Sequence, residues 1–242
     1  MRSGPTVSAV IPVYNCEAYL AEAVESALSQ TLPPSEIIVV DDGSTDRTAE
    51  VANRFGDQIR YAYQANQGIG AARNHGVDLA RGDLVAFLDA DDVWLPEKLA
   101  LQTAALTSDP RLDMVLGHVE QFVSPELDAA RARGLEPAEA ILPGYVAGTV
   151  LVRRDSFFRA GPFATRWRVG EFVDWYARAK DAGLEDLMLP NVVTRRRIHT
   201  ANVSVRERDA RSDFVSILKS TLDRRRRTGR GLTGGMDDET VK

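Results

Sequence analysis

Apolar and polar positions in the first half of the chain come in blocks rather than in residue-by-residue alternation. Val7 to Val13 reads V-S-A-V-I-P-V, Glu36-Ile37-Ile38-Val39-Val40 repeats the theme, Ile59 to Tyr63 is a shorter version, and Leu84 to Leu88 a fourth. Short apolar runs without period-two alternation are expected of strands buried on both faces of a parallel sheet. Between them lie stretches of helical spacing. These are Ala18 to Ser29, capped by Asn15 and stopped by Pro33-Pro34, then about Asp46 to Phe55, capped by Ser44, and about Ala71 to Ala80, closed by Gly82. A helix from Glu97 to Leu106 follows Pro96, which suits a first helical position. Strand and helix in turn predict a parallel sheet.

Beyond Asp109-Pro110 the order loosens. Strands are expected at 114–119, 147–152, 187–189 and 192–198. Helices are expected at 155–160 and 171–182, with a final amphipathic helix at 209–226. Ser124 to Pro143, rich in Ala, Glu and Arg, reads as a loop-helix insertion, and Gly229 to Lys242 as a disordered tail. No repeat or linker interrupts the chain, so one domain spanning 1–228 is expected.

Composition narrows the classes. Hydrophobic residues make up 44% and charged residues 27% of 242 positions, ordinary values for a globular chain. A net charge of -5 argues against nucleic acid as a partner, although Arg195-Arg196-Arg197 and Arg224 to Arg227 are basic blocks that leave peripheral membrane contact open. A single cysteine, Cys16, allows no intrachain disulfide. With no apolar run of about 18 residues and no signal-like start, a soluble cytoplasmic protein without a transmembrane anchor is expected.

Chemistry is expected where the strands end, because ligands of open parallel sheets sit beyond the carboxyl ends of the strands. Those ends read Pro12-Val13-Tyr14-Asn15, Asp41-Asp42, Asn66 to Asn74, and Asp89-Ala90-Asp91-Asp92. Tyr14 offers an aromatic face, Asp42 an acceptor for a base or ribose, Arg73 a cation for phosphate and Asp91 a ligand for a hard divalent ion. Each has a plainer reading: packing for Tyr14, helix caps for the aspartates, a solvated charge for Arg73. Gly68-Ile69-Gly70 completes neither G-x-x-x-x-G-K-[ST] nor G-x-G-x-x-G, so kinase-like and dinucleotide sites lose support.

In that order PVYN at 12–15, VDDGSTD at 40–46, NQGIGAARN at 66–74 and DADD at 89–92 closely resemble the family-2 glycosyltransferases over about the first hundred residues. The resemblance implies a GT-A-type fold, a Rossmann-like open mixed sheet, mostly parallel and flanked by helices. It divides the domain into a nucleotide-binding half at about 6–110 and an acceptor-side half at about 111–228. It also implies inverting transfer of a sugar from a nucleotide-diphosphate donor, a UDP-sugar being favoured, with a divalent metal, Mn²⁺ or Mg²⁺. Pro12, Tyr14, Asn15, Asp42, Gly68, Arg73, Asp89 and Ala90 would then hold the donor. Asp91, with Asp89, would form the D-x-D metal site, and His199, in Arg197-Ile198-His199, would join it.

The second half resembles the family more loosely. In Gly170-Glu171-Phe172-Val173-Asp174-Trp175, Phe172 stands where the family usually has an Asp, so the resemblance leaves Glu171 as the expected catalytic base, with Asp174 as the alternative or as a residue orienting the acceptor; both share one helical face. A charged first turn complementing the helix dipole is the plainer reading. A nucleotidyltransferase acting on sugar phosphates and a nucleotide-sugar-binding protein of weak catalysis are the rival functions. The acceptor, whether glycan, lipid, peptide or small molecule, and the oligomeric state are not legible in the sequence.

Overall fold

The computed structural model describes residues 4–127, 141–199 and 211–227, and among them nine strands join in one mixed sheet. Strands β1 (Val7–Val13), β2 (Glu36–Asp41), β3 (Arg60–Tyr63) and β4 (Leu84–Phe87) are parallel, in the order β3-β2-β1-β4. From β4 the sheet continues antiparallel through β8 (Leu151–Arg153) to β6 (Met114–Val123). Strand β9 (Asp186–Ile198) runs parallel to β6, and the two-residue β5 (Val93–Trp94) closes that edge antiparallel to β9. A short β7 (Ile141–Pro143) pairs with β6 off this path. The chain steps from β1 outward to β2 and β3, then returns to place β4 on the other side of β1. That reversal opens a crevice between the carboxyl ends of β1 and β4.

Helices cover both faces: α1 (Leu20–Leu28), α2 (Thr48–Asn53), α3 (Ile69–Leu79), α4 (Lys98–Ser108), α5 (Arg154–Ala160), α6 (Glu171–Asp181) and α7 (Arg211–Arg227). The apolar runs of β1, β2 and β4 are continuous because each of these strands feeds two cores. Val7, Ala9, Ile11 and Val13 pack with Leu20, Val24 and Leu99 on one side. Val10, with Ile38, Val85 and Phe87, packs against Ala72, Val77, Phe157 and Trp175 on the other. Helix α3 lies so close to β1 that a Cβ on Gly76 would fall 2.2 Å from Val10 Cγ1.

Several expected boundaries differ. Asn15 does not cap α1: with φ at +48° its Oδ1 accepts from the Thr45 backbone N–H at 2.7 Å, and its own N–H donates to Ser44 Oγ at 2.9 Å. Ser44 is thereby used in stitching the first two strand-end loops together, and the start of α2 is met instead by Asp46, whose carboxylate accepts from Thr48 N–H at 2.9 Å. Residues 147–149 form a 3-10 turn before β8. The two expected strands at 187–198 are a single β9, which bulges against β6 between Met188 and Val192 so that Pro190, lacking an N–H, need not join the ladder. Gly117 sits opposite, where a Cβ would lie 2.6 Å from Val193 Cγ1. Of the expected insertion at 124–143, residues 128–140 lie outside the described residues, and Ile141–Pro143 is strand rather than helix. The expected tail at 229–242 also lies outside them, as do Asp209 and Ala210 at the start of the expected final helix.

Candidate active site

The loops after β2 and β3 are tied together by two aspartates. Asp41 accepts from Ser44 N–H and from Tyr61 Oη–H, both at 2.7 Å. Asp42 accepts from Gln64 Nε2 at 2.7 Å, Gln67 N–H at 2.9 Å and Gly68 N–H at 2.8 Å. The glycine turn is thus hung on Asp42, and Gly68 takes φ of +88°, which favours a residue without Cβ.

A cleft of about 470 Å³ opens at this row of strand ends, within the range of small-molecule sites. Pro12, Tyr14, Asp42, Gly68, Asp89, Ala90 and Asp91 line it, together with Asp92. Asn66, Ile69 and Ala72 of the expected 66–74 stretch line it as well, as do Cys16, Arg168 and Arg196, which were not foreseen. Tyr14 is 52% exposed, so its ring faces open space rather than a core. The Cys16 thiol is pushed up to about 12 by burial and then by the charge of Asp91, and at neutral pH it stays protonated.

The acidic end is built by the least conspicuous strand. Pairing of Val93 and Trp94 in β5 with Arg195 and Thr194 in β9 draws the 89–92 turn against the end of β9. Leu95 N–H donates to Val193 O at 3.0 Å, and Trp94 Nε1–H and Thr194 Oγ1–H converge on Gly148 O at 3.1 and 2.8 Å. As a result Asp91 Oδ2 meets His199 Nε2 at 3.0 Å, and the His199 ring packs on Tyr19 with centroids 4.8 Å apart. The Arg197 backbone N–H donates to Asp92 Oδ1 at 2.9 Å, its Nε–H to Asp91 O at 3.0 Å, and its guanidinium bonds Glu22.

Asp92 is buried, and its carboxyl is raised well above the usual range, by burial first and then by the charges of Asp91 and Asp89. A raised folded-state value means the carboxyl opposes folding once pH exceeds the unfolded value near 3.9, and the loss is complete above the folded one. Asp92→Asn keeps an acceptor for Arg197 N–H and removes the charge. It should raise Tm at pH 7 by a few degrees, with about 2–4 °C per kcal/mol for a chain of this size, and the gain should vanish at acid pH. Thermal melts at both pH values check this; an equal or lower Tm at pH 7 would contradict the charge assignment.

Arg73 and Glu171 are not among the lining residues. The Arg73 side chain is 2% exposed; Nη2 donates to Asp89 Oδ1 at 2.5 Å and Nη1 bonds the Glu171 carboxylate. Arg73 thereby bridges the first carboxylate of D-A-D to the first residue of α6. Asn74 fastens the same helix to the 161–163 turn, donating to Phe163 O and accepting from Phe163 N–H, both at 2.9 Å.

Asp174 is fully buried one turn along α6. Its Oδ2 accepts from Arg178 Nε–H at 2.9 Å, while Arg178 also donates to Pro162 O at 2.7 Å and bonds Ala160 O. Its other oxygen, Oδ1, is buried without a hydrogen-bond partner. Phe172, at the position where the family resemblance implies an Asp, is 4% exposed and packs its ring near Trp175 and Tyr176. An aspartate there would enter an apolar core.

Among the described residues no set of three His, Cys, Asp or Glu side chains is arranged to hold a metal ion. Asp91 and His199 nevertheless place a carboxylate oxygen and an imidazole nitrogen together, and the excess negative charge that raises Asp92 is what a cation relieves. Those donors suit a divalent ion whose remaining ligands come from water and a diphosphate.

Comparison with known proteins gives the setting. The sequence model described as glycosyl transferase family 2 matches residues 8–169. An uncharacterized glycosyltransferase of Rickettsia typhi is 42% identical over 132 residues, covering 50% of this chain and 42% of the relative. The uncharacterized glycosyltransferase EpsJ of Bacillus subtilis is 36% identical over 137 residues, 52% of this chain and 40% of the relative. The chain thus spans less than half the length of these relatives. Residues 1–349 of TarS from S. aureus, in complex with UDP, superpose with a TM-score of 0.67 at 20% identity, over 90% of this chain and 64% of that one. The same protein in complex with UDP-GlcNAc gives 0.68 over 90% and 66%. The open mixed sheet flanked by helices is therefore of the GT-A-like kind expected from the sequence.

Proposed function

From the premise that the chain belongs to glycosyl transferase family 2, we propose that it transfers a sugar from a nucleotide-diphosphate donor, a UDP-sugar by preference, to an acceptor nucleophile with inversion. The observation that carries this is the cleft at the β1–β4 reversal, with Tyr14, Asp42 and Gly68 at one part of its wall and Asp89 to Asp92 at another. Tyr14 supplies a face on which a base can stack. Gly68, without a side chain, lets backbone approach the donor, and Asp42 keeps that turn in place.

Asp91 and His199 are the residues that would hold a divalent ion, whose positive charge would stabilise the leaving diphosphate. The remaining work falls to protein groups. The acceptor oxygen bonds to the anomeric carbon from the face opposite the diphosphate, the bond from that carbon to the diphosphate oxygen breaks, and the acceptor proton passes to a carboxylate. Glu171 is the better base. It begins α6, its side chain is 10% exposed, and one guanidinium separates it from Asp89. Asp174, fully buried and bonded to Arg178, holds the 160–162 turn instead.

Thermal-shift screening of nucleotide sugars with and without Mn²⁺ or Mg²⁺ tests the donor. A UDP-sugar should raise Tm by mass action, more so with the metal. Product analysis should find a nucleoside diphosphate released together with a transferred or hydrolysed sugar; release of pyrophosphate would identify a nucleotidyltransferase and end the proposal. At saturating donor, Glu171→Gln should lower kcat by about 10²–10⁴-fold. Asp174→Asn should lower Tm while retaining most of kcat. The reverse pattern would make Asp174 the base.

A further inference from the structure

We infer that the outer face of α7 docks on an anionic lipid surface. The helix is fastened by its inner face. Ile217 and Thr221 are buried, and a Cβ on Gly170 would lie 2.9 Å from Ile217 Cδ1. Asp213 Oδ2 accepts from Arg168 N–H at 3.1 Å near one end, and Asp181 of α6 accepts from Arg224 and Arg225 Nε–H at 2.7 and 2.8 Å near the other. The outward face carries Val215 and Leu218, 69% and 60% exposed, and is bordered by Phe214, 47% exposed, whose ring edge also reaches Gly170, where a Cβ would lie 3.0 Å from Phe214 Cε1. Phe214 and Leu218 stand one turn apart, with Leu222 another turn on, so the residues form a stripe along the axis rather than scattered surface positions.

The charge beside that stripe identifies the occupant. Helix α7 has six cationic side chains against two anionic ones, in a chain whose net charge is -5. Lys219, Arg226 and Arg227 are exposed with the stripe. An apolar stripe bordered by Lys and Arg is the pattern of a helix lying in the plane of a lipid interface, its apolar side chains among acyl chains and its cations at anionic head groups. Nucleic acid would satisfy the cations but leave Phe214, Val215 and Leu218 in water. No helix among the described residues is long and apolar enough to cross a membrane, so this contact is peripheral. Because Arg168 lines the cleft and bonds Asp213 of the same helix, docking would set the cleft beside the lipid surface.

The test is co-sedimentation of the full chain with vesicles of phosphatidylcholine, with and without phosphatidylglycerol. The wild-type protein should sediment with the anionic vesicles only, and added salt should release it. V215S/L218S and, separately, R226E/R227E should each weaken binding about tenfold or more, with unchanged far-UV circular dichroism and unchanged Tm. Equal binding to both vesicle types, absence of binding by folded wild type, or binding undiminished in both variants would overturn the inference. So would light scattering that shows a dimer for wild type and a monomer for V215S/L218S, because the face would then be a contact between copies.

Discussion

Asp91→Ala should lower turnover of a nucleotide-diphosphate sugar by about 10³-fold or more without lowering thermal stability. Asp91 lines the cleft and meets His199 Nε2 at 3.0 Å, so its removal takes away the carboxylate best placed to hold a divalent ion. A metal supplies about several kcal/mol of transition-state stabilisation, and each 1.36 kcal/mol is tenfold in rate. Stability should move the other way. The Asp91 charge helps to raise the Asp92 carboxyl, so deleting it relieves a repulsion inside the same turn. What Asp91 contributes to the fold through His199 is set against that relief, and a Tm equal to or above wild type in the absence of metal is expected. Steady-state kinetics over a metal titration, beside a melt of the same preparation, separate the two effects. Retained metal-dependent turnover would remove Asp91 from the metal site, and a collapsed Tm would make the residue structural.

Much of this geometry was legible because the parallel strands are buried on both faces. Val7 to Val13 and Leu84 to Leu88 could hardly be anything but strands, and the polar residues closing them had to gather at one sheet edge. Arg73 is buried behind the cleft wall, and its sequence neighbours hold the clue to that burial. Ala72, Val77 and Ala80 form an apolar helical stripe, and Arg73 lies between them on the same buried side as Gly76. A cation on that stripe has to find carboxylates inside the protein rather than a ligand in the cleft. Strand β5 left no trace, since two residues cannot display a period, yet it is what brings Asp91 to His199. The gap expected between strands at 187–189 and 192–198 is instead a bulge, by which one strand carries Pro190 past Gly117. Arg168 and Arg196 reach the cleft only through folding of the second half, and no local pattern marks them off from the neighbouring arginines.

Arg73→Ala should cost about 3–5 kcal/mol of stability, the usual consequence of removing one partner from a buried ion pair. At about 2–4 °C per kcal/mol the fall in Tm should be roughly 10 °C. The loss arises because Glu171, 10% exposed at its side chain, and Asp89 would face each other across the vacated space without a cation. Arg73→Lys should recover only part of it, since an ammonium is a point charge and does not span two carboxylates as a planar guanidinium does. Glu171→Gln removes one of the two charges Arg73 serves. In the double variant R73A/E171Q the losses should therefore fall short of additivity by about 1–3 kcal/mol, as residues in one charge network do. The cycle also separates two roles that sequence alone merged. A residue that binds the donor directly would, on replacement by Lys, raise KM for the nucleotide sugar and leave Tm near wild type. One that positions Glu171 against Asp89 would lower kcat and Tm together while KM changes little. The bridge across Asp89, Arg73 and Glu171 requires the second pattern, and finding the first would return Arg73 to the donor site.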